Sequence, residues 1–132
     1  MKKYVVVDTN VLVSALITRN ESSPTVKILR YISENKIIPV YSEEIIKEYN
    51  EVLHRAKFKL PDEIIVRLLN DIVSNGFEVK EEMPDPKDIV FYAVTLSASY
   101  KESVLVTGNE KHFPSKPFIL TPLELVQILE EK

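Results

Sequence analysis

The hydrophobic residues of this chain form short blocks that alternate between two spacings. Four apolar runs have the length of a strand and many β-branched residues: 4–7, 37–41, 104–107 and 118–120. A shorter run at 77–79 is a candidate for a fifth strand. Apolar runs without polar alternation are typical of strands that are buried on both faces of a parallel sheet.

Helical spacing fills the segments between these runs. Residues 11–17 are apolar around nearly the whole circumference of a helix, which predicts a helix buried against the sheet. Capping residues and prolines mark where the other helices begin. Those starts are Ser22-Ser23-Pro24, Ser42 (helix to about Arg55), Pro61-Asp62 (helix through Val73), Asp85-Pro86 (helix to about Tyr100) and Thr121-Pro122. Strands that alternate with helices predict an α/β fold with a central parallel sheet of four to five strands.

Length and composition narrow the class of protein. The chain has 132 residues, which predicts one domain over 1–132. It has no cysteine, so disulfides, thiolate metal sites and cysteine nucleophiles are excluded. No apolar run approaches the ~20 residues that a membrane-spanning helix needs. Asp8 and Asn10 interrupt the N-terminal apolar segment, which argues against a signal peptide. We therefore expect a cytoplasmic protein with no membrane contact.

Charge and glycine content remove further classes. The formal net charge is −3, so a general basic attraction for nucleic acid is absent. Basic residues do cluster locally, around Arg55 and Lys57 and again near Lys111. The chain has two glycines, which leaves no room for a P-loop or a dinucleotide-binding fingerprint. The usual chemistry of ATP, GTP and NAD is therefore not expected.

Polar residues stand where a parallel sheet would gather them. Asp8 directly follows the first strand, and Asn109 comes soon after the strand that ends at Thr107. Asp85 and Asp88 begin a helix. In open α/β sheets, ligands bind beyond the carboxyl ends of the strands, so these positions indicate chemistry. The alternative is capping: Asp8 as the N-cap of the next helix, and Asp85 with Asp88 as a capping arrangement.

Glu48 belongs to the helix that begins at Ser42. The apolar stripe of that helix consists of Ile45, Ile46, Tyr49, Val52 and Leu53. At about 100° per residue, Glu48 lies roughly 100° from the centre of this stripe, which places it at the rim of the buried face. The alternative is an ordinary boundary glutamate whose stem packs and whose carboxylate is hydrated. If these acids converge, repulsion raises their pKa values unless a cation neutralises them, and Mg²⁺ or Mn²⁺ with oxygen ligands suits that role.

Taken in order, several segments resemble the PIN-domain nucleases, in particular the toxin-like members found in VapBC toxin–antitoxin pairs. The segments are VVVDTNVLVSAL (5–16), SEEIIKEYNEVL (42–53), DPKDIVFYA (85–93), VLVTGN (104–109) and ILTPLEL (119–125). The resemblance implies a single Rossmann-like PIN domain with helices on both faces of the sheet. It also implies metal-dependent endonuclease cleavage of single-stranded RNA, in which water attacks phosphorus and leaves 5′-phosphate and 3′-hydroxyl ends.

The resemblance assigns roles to positions of this sequence. It makes Asp8, Glu48 and Asp88 the catalytic acids that bind Mg²⁺ or Mn²⁺. The supporting residues are Asn10, Ser42, Asp85, Thr107 and Asn109. Many family members have an aspartate where Asn109 stands. The lost carboxylate leaves three alternatives open: a one-metal site, a water-mediated role for Asn109, or help from Glu110.

The resemblance also implies partners. We expect a small antitoxin protein and a homodimer, with apolar residues of the 61–73 helix as candidates for the dimer contact. Arg55, Lys57 and Lys111 are expected to contact RNA phosphates, the alternative being that they are solvated surface charges. A competing hypothesis is a catalytically weakened PIN-like module that binds RNA or a partner, because Asn109 replaces the common fourth acid. A phosphatase of the haloacid dehalogenase type would need a second acid where Asn10 stands.

Overall fold

The computed structural model of the protein describes residues 3–80, 94–96, 103–108 and 118–131. The strands are β1 (Lys3–Val7), β2 (Ile37–Tyr41), β3 (Phe77–Glu78), β4 (Ser103–Val106) and β5 (Ile119–Leu120). The helices are α1 (Thr9–Ile17), α2 (Pro24–Ser33), α3 (Glu43–Leu53), a 3-10 helix (Ala56–Phe58), α4 (Asp62–Asn75) and α5 (Pro122–Glu130). Residues 94–96 are also helical.

The strands form one five-stranded sheet in the order β3-β2-β1-β4-β5, and every pairing is parallel. The predicted α/β fold with a parallel sheet flanked by helices is therefore confirmed. β1 lies at the centre, so Val7 at its end faces Val106 of β4. This order places the carboxyl end of β1 between two neighbouring strands, where a topological crevice forms in such sheets.

The predicted elements agree with the observed ones to within a few residues. α3 ends at Leu53, two residues before the predicted end, because His54 takes the C-cap position and its backbone N–H bonds back to the helix. α4 begins at Asp62 and continues to Asn75, two residues beyond the prediction. Of the helix predicted after Asp85, only 94–96 lie within the described residues, and these are helical.

The apolar stripe of α3 packs into the core as predicted. Ile45, Tyr49 and Leu53 are all buried, alongside the valines of β1. Each buried side chain of this size contributes roughly 1.5–3 kcal/mol relative to its exposed state. The prediction for α1 was too broad, since Ile17 at its end is 53% exposed. Ile17 is the last residue of α1, whereas Val11, Leu12, Val13 and Ala15 before it are buried.

Gly76 follows α4, and a left-handed backbone conformation is not the reason for it. Its φ of −102° is accessible to any residue. A Cβ at this position would lie 2.3 Å from the carbonyl oxygen of Ile72 and 2.4 Å from that of Pro39. Glycine is therefore required here by the close approach of α4 to β2.

The helices within the described residues are short. None of them is long and apolar enough to cross a membrane.

Candidate active site

Asp8 lies at the carboxyl end of the central strand and is fixed from the neighbouring strand. Its backbone N–H donates to the carbonyl oxygen of Val106 at 2.9 Å, so the pairing of β1 with β4 continues one residue past the strand. The hydroxyl of Thr107 donates to Oδ2 of Asp8 at 2.6 Å. Thr107 is fully buried, which leaves its hydroxyl little freedom to choose another orientation. The carboxylate of Asp8 is therefore held at the sheet edge where ligands bind in this fold class.

The alternative explanation of Asp8 as a helix cap is correct for its position and wrong for its side chain. Asp8 does occupy the N-cap position of α1, with extended backbone angles. Its side chain, however, makes no capping hydrogen bond to that helix. The carboxylate accepts from Thr107 instead, so the acid serves the end of the sheet and not the helix terminus.

Glu48 is brought to the same place from α3. The hydroxyl of Thr9 donates to Oε2 of Glu48 at 2.9 Å. Thr9 is buried, and Glu48 is half-buried, which confirms its predicted position at the rim of the buried face. Because Thr9 directly follows Asp8, this bond ties the glutamate to the segment that carries the aspartate.

Tyr49 makes a second connection between α3 and β1. Its hydroxyl donates to the carbonyl oxygen of Val7, the residue just before Asp8. Burial raises the pKa of Tyr49 well above its usual value of 10.0, and the negative charges of Asp8 and Glu48 raise it further. The phenol therefore stays neutral, and both carboxylates lie close enough to act on it electrostatically.

The predicted supporting residues of the described ranges differ in what they contact. Ser42 is buried and its hydroxyl accepts from the backbone N–H of Ile45 at 3.2 Å, so it caps α3 as predicted. Ser42 therefore contacts the start of the helix that carries Glu48 and not Glu48 itself. Thr107 bonds directly to Asp8, as described above. Asn10 lies in the first turn of α1 and is exposed.

The basic residues lie on the connection between α3 and α4. Arg55 is exposed, with its guanidinium 3.9 Å from the carboxylate of Glu51. Lys57 is exposed too, and its ammonium lies 5.1 Å from the centre of the Phe58 ring. Such positions leave both cations accessible to a polyanion.

His54, at the start of the same connection, is a surface histidine. Its Nε2 lies 2.6 Å from Oδ1 of Asp62, and its Nδ1 lies 2.8 Å from the carbonyl oxygen of Asn50. The hydrogen bond to Asp62 is the main cause that raises the pKa of His54 above 6.5, and the bond to Asn50 adds to it. Both neighbours are acceptors, so the doubly protonated ring satisfies them best.

Four predicted site residues lie outside the described residues: Asp85, Asp88, Asn109 and Lys111. Within the described ranges, no three His, Cys, Asp or Glu side chains come together as a metal cluster. Asp8 and Glu48 are the predicted acids that the structure does describe. Their carboxylate oxygens are donors of the kind that Mg²⁺ and Mn²⁺ prefer, so the pair fits part of such a site.

Comparison with known proteins assigns the chain to a family. A sequence profile described as PIN domain matches residues 4–111. This chain belongs to the PIN domain family. PIN domains are generally Mg²⁺- or Mn²⁺-dependent nucleases, and the match includes the segments that carry Asp8 and Glu48. No curated protein matches this PIN domain.

A solved structure agrees with the fold of this PIN domain. The crystal structure of PAE2754 from Pyrobaculum aerophilum aligns with a TM-score of 0.57 at 15% identity. The alignment covers 98% of this chain and 90% of that one. At this identity the likeness concerns the fold alone.

Sequence reasoning missed two residues of this site, Thr9 and Tyr49. Tyr49 was counted only as part of the apolar stripe of α3, and Thr9 only as part of a motif. A signal was available for Tyr49, because a tyrosine in the middle of a buried stripe needs a partner for its hydroxyl. That partner is the carbonyl oxygen of Val7, which lies 42 positions away and is brought near by the tertiary fold.

Proposed function

We propose that this PIN domain is a Mg²⁺- or Mn²⁺-dependent endoribonuclease that hydrolyses phosphodiester bonds of single-stranded RNA, and that it is the toxin of a toxin–antitoxin pair. One observation carries the nuclease part. Asp8 and Glu48 stand together at the carboxyl end of the central strand, and each accepts a hydrogen bond from a buried threonine. The family supports the same chemistry.

The proposed ligands of the cation are Asp8 and Glu48, with Asp88 as the third acid. A bound Mg²⁺ or Mn²⁺ lowers the pKa of a water and offsets phosphate charge. Thr107 and Thr9 each hold one oxygen of an acid in place, which reduces the rearrangement needed on binding. The predicted roles of Asn10, Ser42, Asp85 and Asn109 are to support these acids.

The hydrolysis itself has a definite outcome. The oxygen of water forms a bond to phosphorus, and the bond from phosphorus to the 3′ oxygen breaks. The products carry 5′-phosphate and 3′-hydroxyl ends, which end-labelling of the fragments distinguishes from a cyclic phosphate. A cyclic phosphate would mean that the 2′-hydroxyl attacks, which contradicts the proposed chemistry.

Cleavage of a generic single-stranded RNA tests the site. Wild type is expected to cut with Mg²⁺ or Mn²⁺ and to stop with a chelator, and Asp8→Asn is expected to lose the activity. Asp71→Asn is the matched control, because Asp71 is a half-buried aspartate on α4 and not part of the site. If Asp8→Asn cuts as well as wild type, the activity is a contaminant and the proposed site is wrong.

Asn109 gives the alternative function its own test. If wild type is silent, Asn109→Asp restores the carboxylate that many family members carry. Restored cutting means that the fourth ligand is the defect. Continued silence, with RNA still bound, favours the RNA- or partner-binding module.

RNA contact is assigned to Arg55, Lys57 and Lys111. Each phosphate contact adds about 0.9 to the slope of log affinity against log salt on double strands, and about 0.7 on single strands. Arg55→Ala and Lys57→Ala are each expected to lower this slope by about that amount. Lys36→Ala is the matched control, since Lys36 is exposed just before β2 and hence at the opposite edge of the sheet. An unchanged slope for both variants means that these are only surface charges.

The toxin role and the partners need measurements in cells and in solution. Induced expression of wild type is expected to arrest growth, whereas Asp8→Asn is not, and a small antitoxin encoded directly upstream is expected to relieve the arrest. Unaltered growth would favour a stand-alone nuclease.

The proposed homodimer has candidate contacts on α4, where Ile64, Val66 and Val73 are 45–46% exposed. Sedimentation of wild type is expected to show a dimer that Val66→Asp weakens. A wild type that sediments as a monomer over the working concentrations would contradict the dimer.

A further inference from the structure

Tyr49 donates to a carbonyl oxygen of β1 that lies beyond the residues of β1 that pair with β2. The register of β1 with β2 runs from Lys3–Ile37 to Val5–Pro39. Val7 is two residues beyond this register, and its carbonyl oxygen accepts from the hydroxyl of Tyr49. A side chain of α3 thus supplies a donor to a buried stretch of backbone, where an unsatisfied carbonyl would be costly.

Two residues of α3 contact the residues on either side of Asp8. Tyr49 bonds to Val7, the residue before Asp8. Glu48 accepts from Thr9, the residue after it. Two consecutive residues of one helix therefore hold the two neighbours of the aspartate, and the glutamate is itself one of the two.

The hydrogen bonds of Tyr49 and Thr9 oppose the electrostatic repulsion between the carboxylates of Asp8 and Glu48. Two carboxylates at one site repel each other, and the repulsion is strong when burial lowers the local dielectric. With no cation bound, the repulsion favours a shift of α3 away from the end of β1. The hydroxyl of Tyr49 is one of the bonds that resist this shift, and it does so without contact to the reacting atoms.

We infer that Tyr49 is a positioning residue, which holds the helix of Glu48 against the strand end of Asp8 so that both carboxylates are available to one divalent cation. The inference deepens the proposed nuclease function and rests on it. The affinity of the site for the cation therefore depends on a phenol hydroxyl that is not a ligand. Loss of such outer contacts typically costs 10–100-fold in metal affinity.

Tyr49→Phe tests this, because it keeps the ring in the core and removes only the hydroxyl. Mn²⁺ binding to the metal-stripped protein is measured by calorimetry or by the loss of the free Mn²⁺ signal in electron paramagnetic resonance. We expect Tyr49→Phe to bind Mn²⁺ about 10–100-fold more weakly than wild type. Tyr41→Phe is the matched control, since Tyr41 is a buried tyrosine of β2, and its affinity should stay within about twofold.

The Mn²⁺ dependence of RNA cleavage separates positioning from a general structural role. In Tyr49→Phe the Mn²⁺ concentration for half-maximal rate is expected to rise about as far as the dissociation constant. At saturating Mn²⁺ the rate is expected to return close to that of wild type. A merely structural role would reduce the folded fraction, seen by circular dichroism, and would leave the half-maximal concentration unchanged.

The outcomes distinguish the inference from the function on which it rests. Equal Mn²⁺ affinity of wild type and Tyr49→Phe overturns the positioning role and leaves the nuclease proposal intact. A wild type that binds no Mn²⁺ and cuts no RNA overturns both. If Tyr49→Phe does not fold, Thr9→Val removes the companion bond to Glu48. The same loss of Mn²⁺ affinity is then expected, and an unchanged affinity overturns the inference.

Discussion

The middle of α3 and the residue that caps its carboxyl end use similar polar groups in opposite surroundings. Near the site, Thr9 donates to Glu48 at 2.9 Å, and Thr9 is buried. At the far end, His54 bonds to Asp62 at 2.6 Å, and both side chains are exposed. The surface contact is shorter, yet water competes for it on every side. Burial, more than distance, decides which of these bonds the fold depends on.

The same contrast in burial distinguishes the proposed metal ligand on α3 from the basic residues that follow the helix. The middle of the helix carries the proposed metal ligand Glu48 and the contacts that place it. The connection that follows α3 carries the basic residues, and the ion pair of Arg55 with Glu51 is exposed and long, at 3.9 Å. The proposed ligand is therefore held by buried contacts, whereas the proposed RNA-binding residues lie on an exposed segment.

The largest expected effect tests whether the packing of α3 against the core differs along the helix. Ile45 and Leu53 are both fully buried, one near each end of α3. Ile45→Ala and Leu53→Ala are each expected to lower the free energy of unfolding by about 2–5 kcal/mol, as core truncations do. Urea denaturation measures both, with half-buried Ile46→Ala as the milder control. If one end tolerates truncation, the contrast includes packing and not only polar contacts.

The cap of α3 comes next in size. Ser42→Ala removes a buried capping bond and is expected to cost about 1 kcal/mol. Ser23→Ala is the comparison variant, because Ser23 holds the N-cap position of α2 without a side-chain capping bond and its hydroxyl bonds instead to that of Thr25 at 3.0 Å. Thermal unfolding compares the two variants. An equal loss in both would show that N-cap position, and not the bond of Ser42, sets the cost.

These two predictions concern features that the sequence already indicated. The β-branched runs predicted the parallel strands, since residues buried on both faces need no polar alternation. Ser42 and Thr121 were predicted as caps from local chemistry, and both side chains accept the capping bond. Local rules work here because a cap and the N–H that it satisfies are three residues apart.

The site was predicted less completely, and the reason is the sequence separation of its contacts. Asp8 and Glu48 were recognised from their positions on elements. The bonds that hold them, from Thr107 and Thr9, join residues 99 and 39 positions apart. The register of β4 with β1 and the docking of α3 decide these bonds, and periodicity does not encode either of them. Hence a capping interpretation of Asp8 remained open until the direction of its carboxylate was known.

The exposed end of α3 has a pH dependence with a definite sign. The pKa of His54 is raised in the folded protein, mainly by its hydrogen bond to Asp62. Its stabilising contribution is therefore fully present below the usual value of 6.5 and is lost as pH rises through the raised pKa. The melting temperature of wild type should exceed that of His54→Gln at about pH 5.5, and the two should converge at about pH 8.5.

The comparison variant for this titration is Asp62→Asn. It removes the main partner of the imidazolium and should reduce the same low-pH advantage. A difference between wild type and His54→Gln that grows with pH would contradict the assigned hydrogen bonds.

The smallest expected effect belongs to Glu51 and Arg55. Glu51→Gln is expected to change the free energy of unfolding by about 0.5 kcal/mol or less, because the pair is exposed and long. Raising the salt concentration should shrink even this difference. A loss of unfolding free energy above about 1 kcal/mol would mean that Arg55 is held as firmly as Glu48, and the contrast would fail.

The position of β1 at the centre of the sheet has a consequence for synthesis. β1 is synthesised almost a hundred residues before its neighbour β4. Until residues 103–107 have emerged, Asp8 lacks both its backbone bond to Val106 and its bond to Thr107. Pairings of such long range form late, because loop closure must precede them. Until then the nascent chain lacks the contacts that hold Asp8, so the proposed site is incomplete while residues 1–102 are being made.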